Sequence, residues 1–136
     1  MLKTKMNPEV KQKWIDALRS GDYEQGSEKL RGPNGYCCLG VLCDLYIKEN
    51  NKEWDFGGYG EYGEETNPQP MDYWYFDEES EFLPESVMNW AKLYLRNPIL
   101  RVDDNDEMFE FNEEVSTLND EGYSFSMIAD LIEAQM

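Results

Sequence analysis

The sequence predicts a small α+β domain with about four helices and one or two short β-hairpins, in one unit over residues 1–136. Three observations lead there. Four segments carry apolar residues at helical spacing. The stretches between them are rich in turn residues, and their apolar runs are short enough for hairpin strands. No linker divides the chain, and 136 residues is the size of one ordinary domain.

The first helix is expected at residues 8–20. Asn7 is a good N-cap and Pro8 suits the first helical position. Val10, Trp14, Ala17 and Leu18 fall on one face, and Gly21 suits a left-handed C-terminus. Residues 21–35 read as a loop whose Tyr23, Gln25, Lys29 and Arg31 suit a pocket lining. Residues 36–48 read as a buried central helix, with a strand entering a helix as the alternative. Cys38, Val41, Leu42, Leu45 and Tyr46 share a face there, and the small Cys37, Gly40 and Cys43 would let another element pack close.

Residues 50–82 form an aromatic, glycine-rich irregular segment. Glycines at 57, 58, 60 and 63 alternate with Trp54, Phe56, Tyr59 and Tyr62, and Tyr73–Phe76 suits a short strand, so a small hairpin plus irregular chain is expected. A third helix is expected with Pro84 at its first position. Its face is Val87, Trp90, Ala91, Tyr94 and Leu95, and Asn97-Pro98 is its stop. Ile99–Val102 and Met108–Phe111 bracket Asp103-Asp104-Asn105-Asp106 and read as a hairpin. Val115 and Leu118 suggest a helical turn. Ser124 caps a last helix with Phe125, Ile128, Ala129 and Ile132 inward.

Charge is the most informative part of the composition. The chain has 12 Lys and Arg against 29 Asp and Glu, a net charge of −17, and no histidine. Residues 1–50 carry 8 basic and 7 acidic groups, whereas residues 51–136 carry 4 basic and 22 acidic. A histidine base, histidine ligand or Ser-His or Cys-His nucleophile is therefore excluded. Duplex nucleic acid is an unfavourable partner, because its affinity comes from many cations on phosphates. No apolar run approaches the ~20 residues of a membrane helix, and the opening Met-Leu-Lys-Thr-Lys-Met-Asn-Pro leads into no signal-peptide core. Aromatics at 14% offset an apolar fraction of 40%, so a folded, ring-rich core is expected. Cys37, Cys38 and Cys43 are odd in number and clustered, which suits reduced, buried thiols rather than disulfides or zinc.

Other constellations are weaker. Asp103, Asn105, Glu107 and Glu114 echo a calcium loop, but Met108 stands where glycine is needed and the flanks read as strands. Residues 113–136, with Gly122 in a turn, echo the first two helices of a helix-turn-helix. In acidic surroundings, packing into the core is the better account. No spacing singles out a catalytic pair of carboxylates. The ring-rich segment 54–76 suits a stacking surface or a cover for the core edge.

Several stretches together carry a resemblance. They are Trp14-Ile15-Asp16-Ala17-Leu18-Arg19-Ser20-Gly21 and Cys37-Cys38-Leu39-Gly40-Val41-Leu42-Cys43-Asp44-Leu45, then Leu83-Pro84-Glu85-Ser86-Val87 with Trp90, and Ser124-Phe125 with Ile128-Ala129-Asp130-Leu131-Ile132-Glu133. The chain resembles a family of small tailed-bacteriophage proteins of unassigned activity, over both ends but not over residues 50–82. The resemblance implies a phage gene expressed in the host bacterial cytoplasm and carries over no catalytic residue.

The expected function is non-catalytic, with no cofactor or metal. The favoured reading is a phage accessory protein that binds and inhibits or redirects a host defence or nucleic-acid-processing factor. The partner would be a host protein with a basic surface, met by Asp103, Asp104, Asp106, Glu107, Glu110, Glu113 and Glu114. The alternative is a sponge for a nucleotide immune signal, using Lys11, Arg19, Tyr23, Lys29, Arg31, Tyr36 and Trp54. A third is a virion or assembly component; homo-oligomerisation is open.

Overall fold

The computed structural model describes residues 6–57, 65, 68, 71–103 and 110–136. Helix α1 (Pro8–Ser20) begins as its caps dictate. The Asn7 side chain accepts from the backbone N–H of Glu9 and Val10, and Gly21 closes the helix at φ 81°. Its inward face is Val10, Trp14, Ile15 and Leu18, all buried. Residues 21–35 are not loop throughout: β1 (Arg31–Gly32) and β2 (Gly35–Tyr36) pair as a tight antiparallel hairpin. The preceding chain runs along β2, with Gly26 N–H donating to Tyr36 C=O at 2.7 Å and Tyr36 N–H to Glu24 C=O at 2.8 Å.

Helix α2 (Cys38–Glu49) is the buried central helix. Every residue from Cys38 to Asp44 is buried, so its first two turns have no solvent face. The expected close approach occurs at Gly40, which lies against the backbone of Leu30. Helices α1, α3 (Glu85–Ala91) and α4 (Val115–Asp120) pack on α2. The last helix, α5 (Phe125–Gln135), starts on a Ser124 cap and lies against α1, burying Phe125, Ile128, Ala129 and Ile132. Helices α4 and α5, joined through Gly122 at φ 100°, thus pack into the core as expected.

Two sheets complete the α+β fold. β3 (Asp55–Gly57) pairs with β4 (Tyr73–Tyr75), and β4 pairs with β1, giving the order β2-β1-β4-β3. The expected strand at 73–76 is therefore the centre of a sheet; Tyr59, Tyr62 and the glycines at 58, 60 and 63 lie outside the described residues. β5 (Ile99–Asp103) pairs with β6 (Glu110–Glu114), so the second strand extends past Phe111 to Glu114. Gln135 covers the backbone of β5, accepting from Arg101 N–H and donating to Arg101 C=O, each at 2.7 Å. Such pairing blunts an exposed strand edge.

The third helix departs from expectation at both ends. Pro84 is its N-cap rather than its first residue, and Lys92 ends it in the left-handed conformation at φ 57°. Tyr94 and Leu95 consequently lie beyond the helix at 74% and 50% exposure, not on its apolar face. The αL turn satisfies the last carbonyls: Lys92 N–H donates to Asn89 C=O and Leu93 N–H to Met88 C=O.

Candidate functional site

The register of the four-stranded sheet builds a ring cluster. Tyr36 stands opposite Arg31, Arg31 opposite Trp74, and Trp74 opposite Phe56, so four strands contribute one transverse row. Directly opposed residues in an antiparallel sheet share a face. The Arg31 guanidinium lies 4.4 Å from the Trp74 ring centroid, 5.5 Å from Tyr36 and 6.0 Å from Trp54. Phe56 meets Trp74 edge-on at 5.1 Å, and Tyr23 meets Tyr36 edge-on at 5.1 Å. Trp74 is buried at 4% exposure, yet its Nε1–H has no acceptor among the described residues.

Beside this row, Asp44 projects from α2 and gathers three donors. Tyr23 Oη donates to it at 2.5 Å, Trp54 Nε1 at 3.0 Å, and Lys48 Nζ pairs with it at 2.9 Å. Burial pushes the Asp44 carboxyl up, but the hydrogen bonds from Tyr23, Lys48 and Trp54 together outweigh it and hold the group below its ordinary value of 3.8. Burial, then the Asp44 bond, push Tyr23 well up. A carboxyl with a lowered folded-state pKa contributes stability above its ordinary value, lost as pH falls through the folded one. Asp44→Asn should therefore lower the melting temperature at pH 7, and the deficit should shrink by pH 3. Melting curves at both values check this; an equal deficit at both would contradict it.

The structure sorts the cations expected to bind phosphate. It brings Arg31, Tyr36, Trp54 and Tyr23 together, and sets Lys29 Nζ over Tyr73 at 5.0 Å while pairing it with Glu81 at 3.2 Å. Lys11 and Arg19 are elsewhere, on the α1–α5 seam. Lys11 donates to Glu133 C=O at 3.2 Å, and Arg19 bridges Asp130 at 2.6 Å and Glu133 at 3.1 Å. Arg19 is thus engaged by its own chain, and its pKa is raised chiefly by the hydrogen bonds to Glu133 and Asp130.

The acidic set is also divided. Asp104, Asp106 and Glu107 lie outside the described residues. The backbone of Asp103 pairs with that of Glu110 across β5 and β6. Glu113 stands opposite buried Leu100 and is half-buried, whereas Glu114 stands opposite exposed Ile99 and accepts from Asn97 Nδ2 at 3.1 Å. Glu113 and Glu114 therefore lie on opposite faces of the hairpin and do not form one continuous surface.

Sequence reasoning missed Asn119, which is buried at 4% exposure. Its Nδ2 donates to Gly26 C=O at 2.8 Å, and its Oδ1 accepts from Cys38 N–H at 3.2 Å and Gln25 Nε2 at 3.0 Å. Gln25 also donates to Tyr123 C=O at 2.7 Å, and its Oε1 accepts from Phe125 N–H at 3.2 Å. These bonds staple the loop before β1 to the α4–α5 turn and shape an open groove of about 630 Å³, lined by Gln25, Lys29, Asn34, Met71, Asp72 and Asn119 among others. The one sequence signal was a polar Asn119 four residues after inward Val115 and one after inward Leu118.

The three thiols are free and buried. Burial pushes Cys37 up to about 11 and raises Cys38 and Cys43 well above their ordinary value, which keeps them protonated and unreactive at neutral pH. Among the described residues no group of His, Cys, Asp or Glu is placed to hold a metal ion, and no helix is long and apolar enough to cross a membrane.

Residues 6–136 match the family described as Domain of unknown function (DUF8296), and the chain belongs to that family. No curated protein matches it, and no solved structure does.

Proposed function

We propose that the chain is a non-catalytic binding protein whose surplus carboxylates engage a basic surface on a partner protein. The observation that supports this is the disposition of the cations. Lys13 pairs with Glu49 at 2.9 Å and Arg96 with Glu79 at 3.7 Å. With Arg19, Lys29 and Lys48 as described, these cations are paired with carboxylates of the same chain, and Lys11 is held on the Glu133 carbonyl. Exposed pairs of this kind add little stability, but they neutralise the positive groups locally. What remains for a partner is the field of a chain with net charge −17. Such a field accelerates encounter with a basic patch and favours it over acidic competitors. That the partner is a factor of a bacterial host, and this chain a phage accessory protein, is part of the proposal and rests on the sequence resemblance.

The test is capture from bacterial lysate on the immobilised chain, beside the variant carrying Asp103→Asn, Asp104→Asn, Asp106→Asn and Glu107→Gln. The expected result is a basic partner held at low salt, released at high salt and retained poorly by the variant. A partner held equally by both chains at all salt concentrations would contradict the reading.

A further inference from the structure

Residues 51–136 hold 22 carboxylates, yet none falls between Glu85 and Asp103. Residues 86–102 carry Lys92, Arg96 and Arg101 and no acid, so three of the four cations in this acidic part of the chain stand in its longest acid-free stretch. The same stretch holds Tyr94, Leu95 and Ile99, three of the six large apolar side chains exposed among the described residues. The left-handed turn at Lys92 is what carries Tyr94 and Leu95 off α3 and into solvent. Exposed apolar groups gathered in this way mark an interaction surface. Beside them is an open hollow of about 540 Å³, whose wall includes apolar Met88, Leu93 and Tyr94 and charges of both signs, Glu85, Lys92 and Arg96. Arg96 reaches Glu79 only at 3.7 Å, and neither Glu85 nor Lys92 has an ion-pair partner among the described residues.

We propose that this face binds a second copy of the chain across a two-fold axis. Copies of a chain with net charge −17 repel one another, and the repulsion is least where carboxylates give way to cations and apolar groups. A surface that pairs with itself must carry both halves of each contact. Glu85 and Lys92 are such halves, on one hollow and unpaired, so that Lys92 of each copy meets Glu85 of the other. Tyr94 of each copy enters the other's hollow, where its ring meets Met88, Leu93 and the cations. Tyrosine and arginine are among the residue types on which interfaces most depend. An acidic partner of another kind would suit the cations but would leave Glu85 facing a like charge. This contact is independent of the acidic-surface reading and stands or falls without it.

The experiment is sedimentation equilibrium of the full chain over a wide range of concentration, at low and at high salt. The average mass should rise from one chain to two, and the dimer should strengthen as salt is added, because salt screens the repulsion between copies and leaves the apolar contact. That trend is opposite to the one expected for a basic partner, so a failure of either reading is recognisable. Tyr94→Ser should weaken the dimer about tenfold. Lys92→Glu and Glu85→Lys should each weaken it severalfold, and the chain carrying both should regain it. Glu85→Lys lowers the net negative charge, so its loss of dimer would not come from added repulsion. The three side chains are exposed, and melting temperatures of the variants should stay close to that of the wild type. A chain that stays single at every concentration and salt, or a dimer untouched by Tyr94→Ser, would overturn the contact. A double exchange that associates no better than the single ones would overturn the two-fold pairing.

Discussion

Gly40→Ala should destabilise the protein by at least about 3 kcal/mol, enough to unfold a marginal domain. A Cβ at this position would lie 1.7 Å from the carbonyl oxygen of Leu30, 2.6 Å from its carbon and 3.1 Å from its Cα. The obstacle is backbone, so no rotamer change relieves it. Nor can Leu30 move cheaply. Its side chain is fully buried, its N–H donates to Ser80 C=O at 2.7 Å, and its C=O accepts from Cys37 N–H at 3.2 Å. In an unhindered helix, alanine would gain about 1 kcal/mol over glycine, so here the clash decides the sign. Urea unfolding measures the effect; a loss below about 1 kcal/mol would show that α2 does not lie against Leu30 as described.

Asn119→Ala should cost about 3 kcal/mol. Four hydrogen bonds end on this side chain, the fourth a long one from its Nδ2 to Asp120, and removing it leaves the Cys38 N–H and the Gly26 C=O short of partners in a buried place. Asn119→Asp, nearly the same shape, should be no milder. It cannot donate to Gly26 C=O, and it buries a charge without a cation beside it in the contacts described. Both variants should also speed amide exchange in the loop before β1, since Gln25 and Gly26 are the groups released. Thermal unfolding with exchange read at residues 24–30 checks the pair, and a neutral Asn119→Ala would contradict the staple.

What was legible in the sequence was local. Asn7 and Ser124 set helix starts through side-chain bonds to residues within one turn, Gly21 ends α1 through its left-handed backbone, and each does so in the structure. The apolar run after Cys37 announced a buried helix because no polar face interrupts it. The end of α3 was illegible because Lys92, with no glycine to mark it, adopts the left-handed turn. The β1–β2 hairpin was missed because two-residue strands carry no alternation to detect. The candidate site was half legible. Arg31, Tyr36 and Trp54 could be named as residue types, but the stacking of Arg31 on Trp74 depends on a register between strands more than forty residues apart. Lys11 and Arg19 were included because a sequence shows a cation without its partner; Arg19 finds the carboxylates of Asp130 and Glu133, and Lys11 the backbone carbonyl of Glu133, on a helix far along the chain.

The central claim is that a surplus of carboxylates, not the neutralised cations, brings a partner to this protein. The measurement that bears on it most directly is the association rate with the captured partner as a function of ionic strength, for the wild type and for the chain carrying Asp103→Asn, Asp104→Asn, Asp106→Asn and Glu107→Gln. Screening shortens the reach of the field to about 8 Å at 0.15 M salt. The wild-type rate should fall steeply as salt rises, by about tenfold or more towards the unsteered rate. The variant should associate more slowly at low salt and respond less to added salt, with its melting temperature little changed. Rates that ignore both the salt and the four substitutions would contradict the account.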